Sequence, residues 1–163
     1  MTNKALLTLT EQLRQHGYTV TCAESCTGGL LAGALTEYAG SSAWFDMGFV
    51  TYSNQAKQQL LGVTEQTLID HGAVSAATVA QMADGALSAA QADFALSVSG
   101  IAGPGGGSAT KPVGTVWFGL AQRQGLTLTL IQHFEGDRDH VRQQAVTFAL
   151  SWLADTLATL HNN

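Results

Sequence analysis

The run Ala23-Glu24-Ser25-Cys26-Thr27-Gly28-Gly29 puts a serine hydroxyl where an apolar segment turns sharply into a Leu/Ala-rich one. A side chain at a strand-to-helix turn sits at the mouth of a sheet, facing the exposed amides of a helix N-terminus. Farther along, Phe49-Val50-Thr51-Tyr52-Ser53-Asn54-Gln55-Ala56-Lys57 supplies a tyrosine and a lysine at a second such junction. Brought together, Ser25 and Lys57 make a nucleophile and its base. Read locally, the serine is an ordinary helix cap and the lysine a solvated first-turn charge. A helix N-terminus and a nearby arginine would disfavour a second positive charge, depress the lysine pKa and leave it a useful base, with Tyr52 relaying or orienting the proton. Cys26 is the rival nucleophile, and Ser25 is preferred to it.

The other motifs exclude more than they assign. Gly100-Ile101-Ala102-Gly103-Pro104-Gly105-Gly106-Gly107-Ser108 follows a buried-strand pattern, but no Gly-Lys-Ser/Thr ends it, so it is not a P-loop. It leads into a strand, whereas a dinucleotide fingerprint needs a helix there. Its bare amides can still approach a phosphate or an oxyanion closely. Tyr52 and Lys57 are five apart and straddle a cap, which rules out the tyrosine-lysine pair of a short-chain dehydrogenase. The five histidines show no ligand spacing for a metal, and neither a metal nor another cofactor is expected. In Gly136-Asp137-Arg138-Asp139-His140-Val141-Arg142, the aspartates suit a helix start, and Arg138 could hold a carboxylate or phosphate bidentately.

These residues need a scaffold, and the remaining pattern describes one. Leu6, Leu9 and Leu13 repeat at helical spacing up to Gly17, and residues 19–23 read as a strand. Residues 27–39 read as a helix and 46–52 as the strand of a parallel βαβ-like unit. Asn54 caps a short helix to Gly62 with Lys57 in its first turn, Thr64 caps a second to Gly72, and Ser75 caps a third to about residue 91. Residues 94–99 form a buried strand. Residues 113–121 and 126–134 form two more, joined in a hairpin, so the sheet is mixed. A last helix from Asp137 to about residue 160 carries Val141, Ala145, Phe148 and Trp152 as its apolar stripe.

At 163 residues and 45% apolar, with no linker or repeat, the chain suits one domain spanning 1–163. The net charge is −5 with only seven lysines and arginines, so no basic stripe exists to track nucleic acid. Lys57, Arg138 and Arg142 all adjoin candidate motifs, where scarce positive charge suits a small anion. No apolar run approaches a membrane span and the N-terminal segment is too polar for a signal peptide, so a soluble cytoplasmic protein is expected, with Cys22 and Cys26 as reduced thiols.

Taken together, these segments, with Gly40-Ser41-Ser42-Ala43-Trp44-Phe45 and Lys111-Pro112-Val113-Gly114-Thr115-Val116, resemble the CinA C-terminal domain family, specifically its stand-alone nicotinamide-nucleotide amidohydrolases. The resemblance covers nearly the whole chain. It implies an α/β fold, a three-layer α/β/α sandwich around a mixed, mostly parallel sheet, and hydrolysis of nicotinamide mononucleotide to nicotinate mononucleotide and ammonia in NAD salvage. It implies Ser25 as nucleophile, Lys57 as base, Tyr52 as supporting relay, and Arg138 or Arg142 at the substrate. The backbone of Thr27, Gly28 and Gly29, or of Gly103, Gly105 and Gly106, would hold the oxyanion or substrate. A homodimer is also implied. Larger members carry a pyrophosphatase-type N-terminal domain for which these 163 residues leave no room, and some paralogues are non-catalytic nucleotide-binding or regulatory modules.

Overall fold

Successive side chains of a strand point to opposite faces, and here the two faces differ in size. Phe94, Leu96 and Val98, with Val116, Phe118 and Leu120, project to one side and meet long aliphatic residues from three helices. The opposite side offers Ala95, Ser97, Gly119 and Ala121, small residues that let a helix settle close. There Ser97 Oγ donates to the Val79 carbonyl at 2.6 Å, and a Cβ on Gly119 would stand 2.6 Å from that same oxygen.

The computed structural model describes residues 3–162. Its elements are α1 (Asn3–His16), β1 (Val20–Glu24), α2 (Leu30–Leu35), β2 (Phe49–Val50), α3 (Asn54–Leu61), α4 (Glu65–His71), α5 (Ala76–Ala90), β3 (Phe94–Gly100), β4 (Thr115–Gln122), β5 (Leu128–His133) and α6 (Arg138–His161). Helices α1, α2 and α6 cover the large-residue face, while α5, flanked by α3 and α4, covers the other. The α/β/α sandwich around a mixed sheet is as the family resemblance implies. In the strand order β2-β1-β3-β4-β5, β1 is parallel to β2 and β3. The β3–β4 and β4–β5 pairings are antiparallel. Parallel pairing thus governs the half of the sheet around β1, and the hairpin half is antiparallel.

Several boundaries differ from the sequence reading for local reasons. The helix expected over 27–39 is only Leu30–Leu35, because Gly28 and Gly29 adopt φ of +55° and +108° and hold residues 25–29 in a turn. The strand expected over 46–52 shrinks to Phe49–Val50. Ser53, not Asn54, caps α3, with its Oγ accepting the Ala56 amide at 3.0 Å. Thr64 and Ser75 cap α4 and α5 as expected. On α6, Val141 and Ala145 are buried, whereas Phe148 and Trp152 are only partly so; Ala149, Leu150, Leu153 and Leu157 continue the buried stripe. Cys22 and Cys26 are free buried thiols. Among the described residues, no helix is long and apolar enough to cross a membrane.

Candidate active site

Because β1 is parallel to both β2 and β3, the three strands release their chains at the same edge of the sheet, the place where open α/β sheets bind ligands. Ser25 follows β1, Thr51 and Tyr52 follow β2, and the glycine-rich loop follows β3. Two hydrogen bonds extend the ladder just beyond the strands. The Ser25 amide donates to the Val98 carbonyl at 3.0 Å, and the Thr51 amide to the Glu24 carbonyl at 2.8 Å.

Lys57, in the first turn of α3, reaches back under this edge and is 1% exposed. Its Nζ lies 2.9 Å from Ser25 Oγ, 2.9 Å from the Thr51 carbonyl and 3.1 Å from the Tyr52 carbonyl. Two of these three partners can only accept, and the hydroxyl can also donate. A neutral amine therefore keeps both its N–H bonds on the carbonyls and turns its lone pair to the Ser25 proton. Burial pushes the lysine pKa down from 10.5 to about 8, with a small opposing contribution from Cys26. Desolvation is the leading cause, and the arginine expected to contribute to this shift is not among its causes.

Glu24 does not act as the counter-ion of Lys57. Its fully buried carboxylate accepts the amides of Leu31 at 2.8 Å and Ala32 at 3.0 Å. Gly29, at the N-cap position of α2, has no side chain to cap the helix, so the carboxylate arrives from β1 instead. Sequence reasoning passed over Glu24, although an acid at the end of a buried strand beside an uncapped helix start was a signal. Thr51 was missed too, since it contributes a carbonyl, which no side-chain pattern reveals.

Ser25, 8% exposed, opens into a pocket of about 250 Å³ shared with Cys26, Tyr52, Gly103, Gly105, Gly106 and Arg138. Arg138, at the first residue of α6, donates from Nη1 to the Gly103 carbonyl at 2.9 Å and from Nη2 to the Tyr52 phenol at 3.2 Å. Gly103 has φ of +84°, and a Cβ there would stand 2.5 Å from Val113 Cγ1, so the loop carbonyl reaches Arg138 only because this residue is glycine. Tyr52 is 61% exposed. Its phenol bonds Arg138, and its carbonyl bonds Lys57, so the proton relay expected of the phenol has no direct link to the lysine here. Thr27, Gly28 and Gly29 do not line this pocket.

Arg142 faces the other way. Its Nε donates to the Cys26 carbonyl at 3.0 Å and its Nη2 to the Thr27 carbonyl at 3.4 Å, and it lines a separate groove of about 440 Å³ between α2 and α6. Of the two arginines, Arg138 is the one in the serine pocket. Burial pushes the Cys26 thiol up to about 11, and burial, together with Glu24, also holds the Cys22 thiol well above its usual range. A thiol so disposed is a poor nucleophile near neutrality. Among the described residues, no three His, Cys, Asp or Glu side chains gather to hold a metal.

The fold, and more than half of the sequence, are shared with known proteins. The chain is 58% identical over 157 residues to the nicotinamide-nucleotide amidohydrolase PncC of Escherichia coli K12, covering 94% of this chain and 95% of that one. It is 65% identical over 138 residues to the protein of the same name from Enterobacter agglomerans, covering 85% and 84%. A crystal structure of a competence-damaged protein (CinA) superfamily member from Klebsiella pneumoniae superposes with a TM-score of 0.93 at 43% identity, covering 98% of this chain and 99% of that one. The sequence model of the CinA C-terminal domain matches residues 3–157, and the chain belongs to that family.

Proposed function

We propose that the protein is an amidase that hydrolyses the carboxamide of nicotinamide mononucleotide, giving nicotinate mononucleotide and ammonia in pyridine nucleotide salvage, with Ser25 as nucleophile and Lys57 as its base. The observation that carries the mechanism is the buried lysine amine, fixed by two carbonyls and 2.9 Å from the serine hydroxyl. The choice of substrate is supported by relatives named nicotinamide-nucleotide amidohydrolases at more than half identity.

In the first step Ser25 Oγ bonds to the carboxamide carbon while its proton passes to Lys57 Nζ. Lys57 then returns a proton to the departing nitrogen, the C–N bond breaks, and ammonia leaves a Ser25 ester. Water, deprotonated by the same amine, cleaves that ester and restores the hydroxyl. The oxyanion falls to backbone amides rather than a cation. The Ser25 amide is engaged by Val98, which leaves the N–H of Cys26, the residue after the nucleophile, as the donor such turns provide. Arg138 and the Tyr52 phenol form the polar wall of the pocket, suited to the anionic, hydroxylated remainder of the substrate.

The test is ammonia release from the purified protein offered nicotinamide mononucleotide, nicotinamide riboside and nicotinamide. Release from the mononucleotide with little from the other two is expected. Tight binding of the mononucleotide without release would instead make the protein a nucleotide-binding module, and release from unrelated amides alone would make it a serine-lysine amidase of another specificity.

A further inference from the structure

The reaction just described needs Ser25 held still, yet Ser25 sits in a turn, between a strand and a helix that has no capping side chain of its own. Arg142, on α6 and outside the serine pocket, supplies a restraint. Its guanidinium takes the carbonyls of Cys26 and Thr27 from two consecutive peptide units. A trans peptide is rigid, with C=O and N–H directed oppositely. The unit whose carbonyl Arg142 takes at Thr27 carries at its other end the Gly28 amide, which donates to the Ser25 carbonyl at 3.1 Å. Fixing one end of that plane fixes the other, and so the main chain of the nucleophile itself. The preceding unit is likewise pinned by its Cys26 carbonyl. Gly28 takes a φ of +55° in this turn, and a Cβ there would lie 3.3 Å from Arg142 Nη2, close enough that the guanidinium would have to give by a few tenths of an ångström.

We infer that Arg142 is a positioning residue for the amidase reaction: it acts through the Cys26–Gly28 backbone to hold Ser25 in line with Lys57, without touching substrate. The inference rests on the proposed activity. A guanidinium is required because Nε and Nη2 reach two carbonyls at once in a fixed fork, which a lysine ammonium on a flexible stem does not reproduce. Misplacement of a reacting group by about 1 Å costs on the order of 100-fold in rate, whereas a group that only binds substrate shows itself in KM.

The experiment compares steady-state ammonia release from nicotinamide mononucleotide by the wild-type protein, Arg142→Ala, Arg142→Lys, and Gln143→Ala as a control on the same groove. Arg142→Ala is expected to lose at least about tenfold in kcat with KM changed by less than about threefold. Arg142→Lys should fall between it and the wild type, Gln143→Ala should match the wild type, and millimolar guanidinium, against matched sodium chloride, should restore part of the kcat of Arg142→Ala. A tenfold rise in KM at preserved kcat would overturn the inference by making Arg142 a substrate contact. Unchanged kinetics would overturn it as well, as would a loss in both variants that tracks a fall in Tm and does not respond to guanidinium. An inactive wild-type protein would refute the proposed activity itself, a result distinct from any of these.

Discussion

The turn from Ser25 to Gly29 separates two concavities of opposite character. On one side is the smaller pocket, about 250 Å³, with Ser25 at its floor and a buried amine behind it. On the other is the larger groove, about 440 Å³, whose charged groups, Glu37, Asp139 and Arg142, sit at a rim between two helices. Size would select the groove; chemistry selects the pocket. An amine taken out of water with no carboxylate to neutralise it is costly to fold, and the molecule retains it where it meets a hydroxyl. The groove's arginine instead spends its donors on the backbone of the turn, so one side of the turn performs the reaction and the other secures it.

Substitutions on the pocket side should cost most. Ser25→Ala removes the bond-forming atom and is expected to reduce kcat by on the order of 10⁴-fold or more, leaving Tm nearly unchanged because a lost hydroxyl opens no sizeable cavity. Mass spectrometry should detect an acyl adduct in quenched wild-type turnover and none in this variant. Lys57→Arg should be as inactive as Lys57→Ala, each about 10²- to 10⁴-fold down in kcat, because a guanidinium does not release its proton at working pH. Arg138→Ala should act mainly on KM, raising it by about 10- to 100-fold through loss of a charged donor at the polar wall. Cys26→Ala should matter least, with kcat of the same order as wild type and a stability loss of about 1 kcal/mol. If Cys26→Ala were inactive and Ser25→Ala active, the two neighbouring nucleophiles would exchange roles.

Stability offers an independent contrast between the buried amine and the buried carboxylate. The folded pKa of Lys57 lies near 8, below the 10.5 of the free group, so between these values the unfolded chain holds a proton that the folded chain lacks. Stability should therefore rise as pH increases through that window, and the cost of burying the ammonium is fully present below it. Lys57→Met, close in volume and uncharged, should raise Tm at pH 7 while abolishing turnover, a stability gain at the expense of function. Glu24→Gln should do the opposite, losing about 1–3 kcal/mol because an amide group replaces one of the two oxygens that receive Leu31 and Ala32. Denaturant melts at pH 7 and pH 9 read both effects.

Much of this geometry is legible in the sequence because side-chain type carries it. The Ser25 turn, Lys57 at the start of α3 and the glycine loop after β3 follow from periodicity and caps, and parallel strands then oblige their ends to converge. What stays hidden depends on the backbone and on burial. No pattern shows that Lys57 would be held by the carbonyls of Thr51 and Tyr52, or that burial rather than a neighbouring charge would lower its pKa. Arg138 and Arg142 sit one helical turn apart in a single motif, and only the rotation of α6 against the sheet decides which faces Ser25. The two-residue β2 is likewise illegible, since apolar residues 49 and 50 have neighbours that read equally well as strand.

The pH dependence of kcat/KM for nicotinamide mononucleotide tests the central claim most directly, because it reports the protonation state required of the free enzyme. If neutral Lys57 takes the Ser25 proton, only roughly a tenth of the protein is competent at pH 7. The profile should then climb about tenfold per pH unit on its acid side and level off above an apparent pKa of about 8. A profile flat from pH 6 to 9, or one that falls as the lysine loses its proton, would show that position 57 serves as a positive charge and would contradict the serine-lysine mechanism.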